Sequence, residues 1–183
     1  MAAGLQLMTP VEGVDHVQGP STAAITLVEY GDYECPHSAE AATIVNELRS
    51  RYADQLRLVF RHYPLSAKHP RAQPAAEAAE AAATQGRFWE MHRLLFVGQP
   101  GLDDEHLRDY AKQLYLDMVR FDAALAQHTH AVRVKRDVIS GERSGVRGTP
   151  TYFINGKRHE GPDDLTGLVT AIEEALGRNR KSE

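Results

Sequence analysis

The clearest apolar run is Ala24-Ile25-Thr26-Leu27-Val28-Glu29-Tyr30. Its β-branched and aromatic residues predict a buried strand, broken by Gly31 and Asp32. From Pro36 the period changes. Ala39, Ala42, Ile44, Val45 and Leu48 form one helical stripe. Pro36 suits a first helical position, where the N–H it lacks would have no intrahelical partner. Leu56 to Tyr63 predicts a second strand, ended by Pro64. A strand–helix–strand opening takes a right-handed crossover, so its two strands are expected to lie parallel in one sheet.

The next stretch carries helical signals alone. Ala75 to Thr84 is an Ala/Glu helix closed by Gly86, and Arg87 to Val97 follows with Phe88, Trp89, Met91, Leu94, Leu95 and Phe96, expected as a helix core rather than a groove lining. Asp103 to Leu116 predicts another helix, and Arg120 to about Gly141 one or two more. Strand signals return at Thr151-Tyr152-Phe153-Ile154. Asn155-Gly156 is a strong hairpin signal, Lys157 to Glu160 the expected return strand, and Leu165 to Leu176 a closing helix capped by Gly177. The order is β-α-β, helices, β-β-α. It predicts a loose lead-in at 1–22, one domain over 23–177 with an all-helical insertion at about 67–143, and a tail at 178–183.

Composition narrows the function. The chain has 183 residues, 25% of them charged, with a net charge of -4, so no basic excess points to nucleic acid or an anionic membrane as partner. No apolar run reaches the roughly 20 residues of a membrane helix. The first 20 residues have no Lys or Arg ahead of their apolar stretch, and Glu12 and Asp15 interrupt it; no signal peptide is expected, and the expected location is cytoplasmic. The single cysteine, Cys35, excludes an internal disulfide and a cysteine-based zinc site. The histidines are scattered, so no metal and no cofactor are expected.

Three features carry chemistry. Cys35 stands where a strand gives way to a helix, beside Pro36. Unpaired N–H groups at a helix start favour the thiolate, the form that attacks disulfides, and His37 adds a positive charge when protonated. This position predicts a partly exposed, reactive thiol. Thr149-Pro150 precedes a strand, a place where proline costs no ladder bond; composition alone favours a trans peptide there. Glu29, among Leu27, Val28 and Tyr30, is a candidate buried acid able to take or give a proton. Arg133, Lys135, Arg136, Arg143 and Arg147 read as a solvated basic face, with an anionic ligand such as glutathione as the sharper alternative.

Gly31-Asp32-Tyr33-Glu34-Cys35-Pro36-His37-Ser38 resembles the active-site stretch of DsbA-like thioredoxin-fold proteins, which usually read Cys-Pro-X-Cys. Gly145 to Gly156 is similar to that family's cis-proline segment, and the helical block matches its insertion. The resemblance spans roughly residues 14 to 177. It implies an α/β thioredoxin fold, Cys35 as attacking thiol, Pro150 as a cis proline facing it, and the Thr149 backbone pairing with a bound peptide or glutathione. It also implies Glu29 as the family's buried acid. Ser38 departs from the pattern. A hydroxyl cannot resolve a mixed disulfide by thiol exchange, though it can hydrogen-bond a thiolate. The expected function is therefore monothiol thiol-disulfide exchange on protein, peptide or glutathione mixed disulfides, with His37 tuning Cys35. Two alternatives stand beside it: a redox-inert peptide-binding module, and a dithiol Cys-Pro-His-Cys enzyme carrying serine at 38.

Overall fold

The computed structural model describes residues 5–177; the tail at 178–183 lies outside them. Strands β1 (His16–Gln18), β2 (Ile25–Gly31), β3 (Leu56–His62), β4 (Thr151–Ile154) and β5 (Lys157–Arg158) form one sheet in the order β1-β3-β2-β4-β5. Helix α1 (Pro36–Tyr52) links β2 to β3, and α7 (Leu165–Ala175) follows β5. Between β3 and β4 run α2 (Ala72–Ala83), α3 (Phe88–Val97), α4 (Asp104–Gln113), α5 (Met118–Ala126) and α6 (Ala131–Arg143). The chain divides into two compact units. One holds the residues up to Tyr30, Glu40–Arg61 and the chain from Ser140 on; the other holds Gly31–Ala39 and His62–Ile139.

The first unit is the sheet with its helices. Alternation along β2 and β4 assigns the faces. Val28 and Tyr30 stand opposite Phe153 and Thr151, and Tyr30 meets Phe153 edge-on at 5.9 Å while its hydroxyl lies 2.8 Å from Ser140 Oγ of α6. Leu27 and Glu29 stand opposite Ile154 and Tyr152 and point to the other face. There Ile154 lines a groove with Thr166, Thr170 and Ala171 of α7, and Tyr52 at the end of α1 donates to Glu173 of α7 at 2.8 Å. The β4–β5 turn has Asn155 at φ 48° and Gly156 at φ 81°, the two left-handed positions that a tight hairpin of this hand requires.

Of the expected loose lead-in at 1–22, the described residues are tied down in part. Residues 16–18 form β1, antiparallel to β3 with Val17 opposite Val59. Arg61, 2% exposed, holds the preceding residues through a two-point contact with Asp15 at 2.8 and 2.9 Å and through the carbonyls of Thr9 and Pro10. Burial works against its charge, but Asp15 and Tyr30 more than offset this, so the guanidinium stays charged.

In the second unit α2 is the central helix, contacting α3, α4 and α5. Its alanines make this possible: Ala72, Ala75, Ala76, Ala78, Ala79, Ala81 and Ala82 are all buried, and a side chain of one methyl lets neighbouring helices approach on several sides. Its two buried acids are paired. Glu77 accepts from Gln73 at 2.9 Å, and Glu80 lies 2.8 Å from His62 Nε2. Phe88, Met91, Leu95 and Phe96 fill the core, as the pattern predicts for α3. The stretch from Arg120 to about Gly141, expected as one or two helices, is two, α5 and α6, parted at His128, whose φ is 49°. The expected helix from Asp103 begins one residue later, with the Asp103 carboxylate accepting from the His106 N–H as its cap. Gly31, expected to break β2, is its last residue.

Candidate active site

The turn between β2 and α1 is held by side chains rather than by regular structure. Asp32 is buried, and its carboxylate accepts from the Glu34 N–H at 2.8 Å, the Leu65 N–H at 2.9 Å and His69 Nδ1 at 2.8 Å. The first of these is the short Asx arrangement that aspartate favours in turns. The other two fasten the turn to the segment after β3. Glu34 adds a bond at 2.6 Å from the Arg71 N–H. Tyr33 is buried against Phe96 at 4.8 Å and His92 at 5.6 Å, with its hydroxyl 3.0 Å from His92 Nδ1.

Cys35 ends this turn. Its N–H donates to the Asp32 carbonyl at 3.2 Å, and its own carbonyl accepts from the Ala39 N–H at 3.1 Å, the first bond of α1. That carbonyl also accepts from Gln99 Nε2 at 2.8 Å; the same nitrogen donates to the Tyr33 carbonyl at 2.9 Å. The expectation of a partly exposed cysteine is corrected: Cys35 is only 4% exposed. Gln99 draws the 98–101 loop onto the turn, and Tyr33 anchors it inward. Pro36 and His37 are exposed beside it. Ser38 is fully buried, and its Oγ accepts a long bond of 3.3 Å from the Asp32 N–H.

In the sheet unit, Glu29 is buried at 2% exposure, its Oε1 has no hydrogen-bond partner, and burial pushes its pKa up to about 8. It therefore carries a proton at neutral pH. The Thr149–Pro150 peptide is cis, and Thr151 donates through its hydroxyl to the Gly148 carbonyl at 2.8 Å. Of the basic run, Arg133 is drawn inward to Asp137 and Glu80.

Three residues with a structural claim on the cysteine turn went unread in the sequence. Asp32 had a local signal, an aspartate two residues before the Glu34 amide it caps. Gln99 and His69 had none, because the groups they bind are tens of residues away in the chain.

This chain belongs to the thioredoxin family: the family model described as thioredoxin matches residues 12–174. Its fold is that of the DsbA-type members. The crystal structure of oxidised BdbD from Bacillus subtilis superposes with a TM-score of 0.82 at 24% identity, covering 96% of this chain and 98% of that one. α-DsbA1 from Wolbachia pipientis gives a TM-score of 0.80 at 20% identity, covering 94% and 95%. In sequence, the chain is 47% identical over 177 residues to a protein of Salinispora arenicola named Na(+)/H(+) antiporter NhaA 1, covering 96% of this chain and 27% of that protein. A Salinispora tropica protein named Na(+)/H(+) antiporter NhaA 3 is 48% identical over the same length. The chain thus spans about a quarter of these relatives. Among the described residues no helix is long and apolar enough to cross a membrane.

Proposed function

We propose that this chain is a monothiol thiol-disulfide oxidoreductase. The observation that carries this is the position of Cys35: its carbonyl accepts the first bond of α1, so its side chain stands at the helix start, where backbone N–H groups and the dipole favour a thiolate. The thiolate attacks one sulfur of a protein, peptide or glutathione mixed disulfide. A Cys35–sulfur bond forms, and the other sulfur leaves as a thiolate. A second thiolate, of the glutathione class, then attacks the adduct, restores Cys35 and carries the disulfide away. Ser38 cannot take that second role, so the external thiol is obligatory. A thiol-rich compartment such as the cytoplasm supplies it. His37 beside the cysteine tunes the thiolate, and Glu29 is the acid that manages the proton. By family resemblance, Pro36 and the Thr149–Pro150 backbone contact the substrate. No cofactor is required; glutathione acts as co-substrate.

The test is turnover of a glutathionylated peptide with reduced glutathione in excess. Release that depends on Cys35 supports the reading. A chain that neither turns over nor takes up glutathione from its oxidised form is a redox-inert binding module instead. The dithiol alternative predicts that Ser38→Cys raises the activity at the expense of the glutathione requirement.

The relatives favour one class of client. Because 96% of this chain recurs within a protein named as a Na(+)/H(+) antiporter, we propose a cation/proton antiporter as its partner. Antiport measured in vesicles should change when the chain is added with its thiol intact, and a Cys35→Ser chain should have no effect.

A further inference from the structure

Glu29 and Tyr152 stand directly opposite each other on neighbouring antiparallel strands, β2 and β4. Residues so placed point to the same face of the sheet with their Cβ atoms about 4.5–5.5 Å apart. Both are buried, at 2% and 1% exposure, and neither Glu29 Oε1 nor Tyr152 Oη has a hydrogen-bond partner. A buried polar atom left alone costs about 1–3 kcal/mol. Two such atoms on adjoining side chains of one face are commonly satisfied together, by one bridging water or by a small shift of the phenol. The Tyr152 hydroxyl is held well above its usual range by burial first, then by the charges of Glu29 and Asp163.

Asp163 is exposed at the surface, immediately before Asp164, the residue that caps α7. Partial burial of its carboxyl raises its pKa; His159 and Arg158 pull the other way, and Asp164 adds to the rise. His159 is tied to the same place, since its N–H donates to the Tyr152 carbonyl at 2.9 Å. Burial is the cause of the raised Glu29 pKa.

We propose that the Tyr152 hydroxyl couples to the Glu29 carboxyl and helps to set the protonation state of that acid. That Glu29 serves thiol exchange rests on the function proposed above; the coupling does not. Tyr152 is a positioning residue that acts through Glu29.

The test is carbon NMR of Glu29 and Tyr152 in the intact chain. In wild type, the Tyr152 Cζ signal should move in step with the Glu29 carboxyl as that group titrates. In Tyr152→Phe, which keeps the ring and removes only the hydroxyl, the Glu29 midpoint should rise by about one pH unit, the equivalent of one lost hydrogen bond to a charged group. A Tyr152 signal that stays flat through the Glu29 titration overturns the proposal, and this needs no variant to fold. An unmoved midpoint in folded Tyr152→Phe overturns it equally. If the chain takes up no glutathione while the two signals titrate together, the proposed function fails and the coupling stands.

Discussion

Gln99 Nε2 lies 2.8 Å from the carbonyl oxygen of Cys35. One amide group thereby holds both ends of the turn that presents the cysteine, since the same nitrogen reaches the Tyr33 carbonyl. A helix start positions a sulfur only as well as the backbone leading into it is positioned.

Gln99→Glu replaces this donor with an acceptor facing two carbonyl oxygens. We expect a loss of about 1–3 kcal/mol in urea unfolding and faster alkylation of Cys35 by a bulky reagent as the turn opens. Gln99→Ala should do the same to a smaller extent. Unchanged alkylation in both would mean that Gln99 does not hold the turn.

Glu29 makes the stability depend on pH in a definite direction. Its folded pKa of about 8 lies above its ordinary value of 4.5, so between those values the folded state binds more protons than the unfolded state. Stability therefore falls as pH rises through this window, by up to a few kcal/mol, and levels off above it. Relative to wild type, Glu29→Gln should gain stability across that same interval. Parallel pH profiles for the two chains, followed by thermal melting, would show that Glu29 ionises normally.

Arg61 fixes the first part of the chain through Asp15, Thr9 and Pro10. Arg61→Met leaves the Asp15 carboxylate buried without its partner and should cost about 3–5 kcal/mol. Arg61→Lys should recover little, because a single ammonium cannot reproduce the two-point contact. Proteolysis should then cut before His16 well below the unfolding transition. A lead-in that stays protected in Arg61→Met would refute the clamp.

Ser38→Cys tests the reading of the motif. Position 38 lies three residues beyond Cys35 in the first turn of α1, on the same side of the helix. Mild oxidation should remove a pair of hydrogens from the variant, seen by mass spectrometry, and confer glutathione-coupled oxidation of a reduced test protein. The unmodified chain should instead hold a glutathione adduct that reductant removes. A folded variant that forms no disulfide would show that the two side chains diverge.

Much of this architecture is legible in the sequence because local signals coincide with it. β2 and β4 are dense in β-branched and aromatic residues, β3 is rich in apolar ones, and Asn155-Gly156 makes the turn it advertises. β1 was illegible: His16-Val17-Gln18 has no pattern of its own and is a strand only because Leu58, Val59 and Phe60 stand beside it. The break between α5 and α6 was also hidden, since it falls at a histidine with positive φ rather than at a glycine or proline. Tyr115 does the same after α4, with φ 55°. The Cys35-Pro36-His37-Ser38 stretch stands out by its motif, and the burial of Glu29 is legible from its apolar neighbours. Cys35's burial is not, because Gln99, which helps to close the turn, lies far away in sequence.

The outermost strands of the sheet have three and two residues. Beside the shorter one, Leu5 and Leu7 already bond to Arg158 and Gly156, at 2.9 and 2.8 Å, with Gln6 bridged to Lys157. A long bare strand at a sheet edge recruits any other extended chain. Here one flank is brief and the other is occupied by the chain's own beginning. The molecule can therefore be crowded with unfolded polypeptide and still resist joining it in a growing intermolecular sheet.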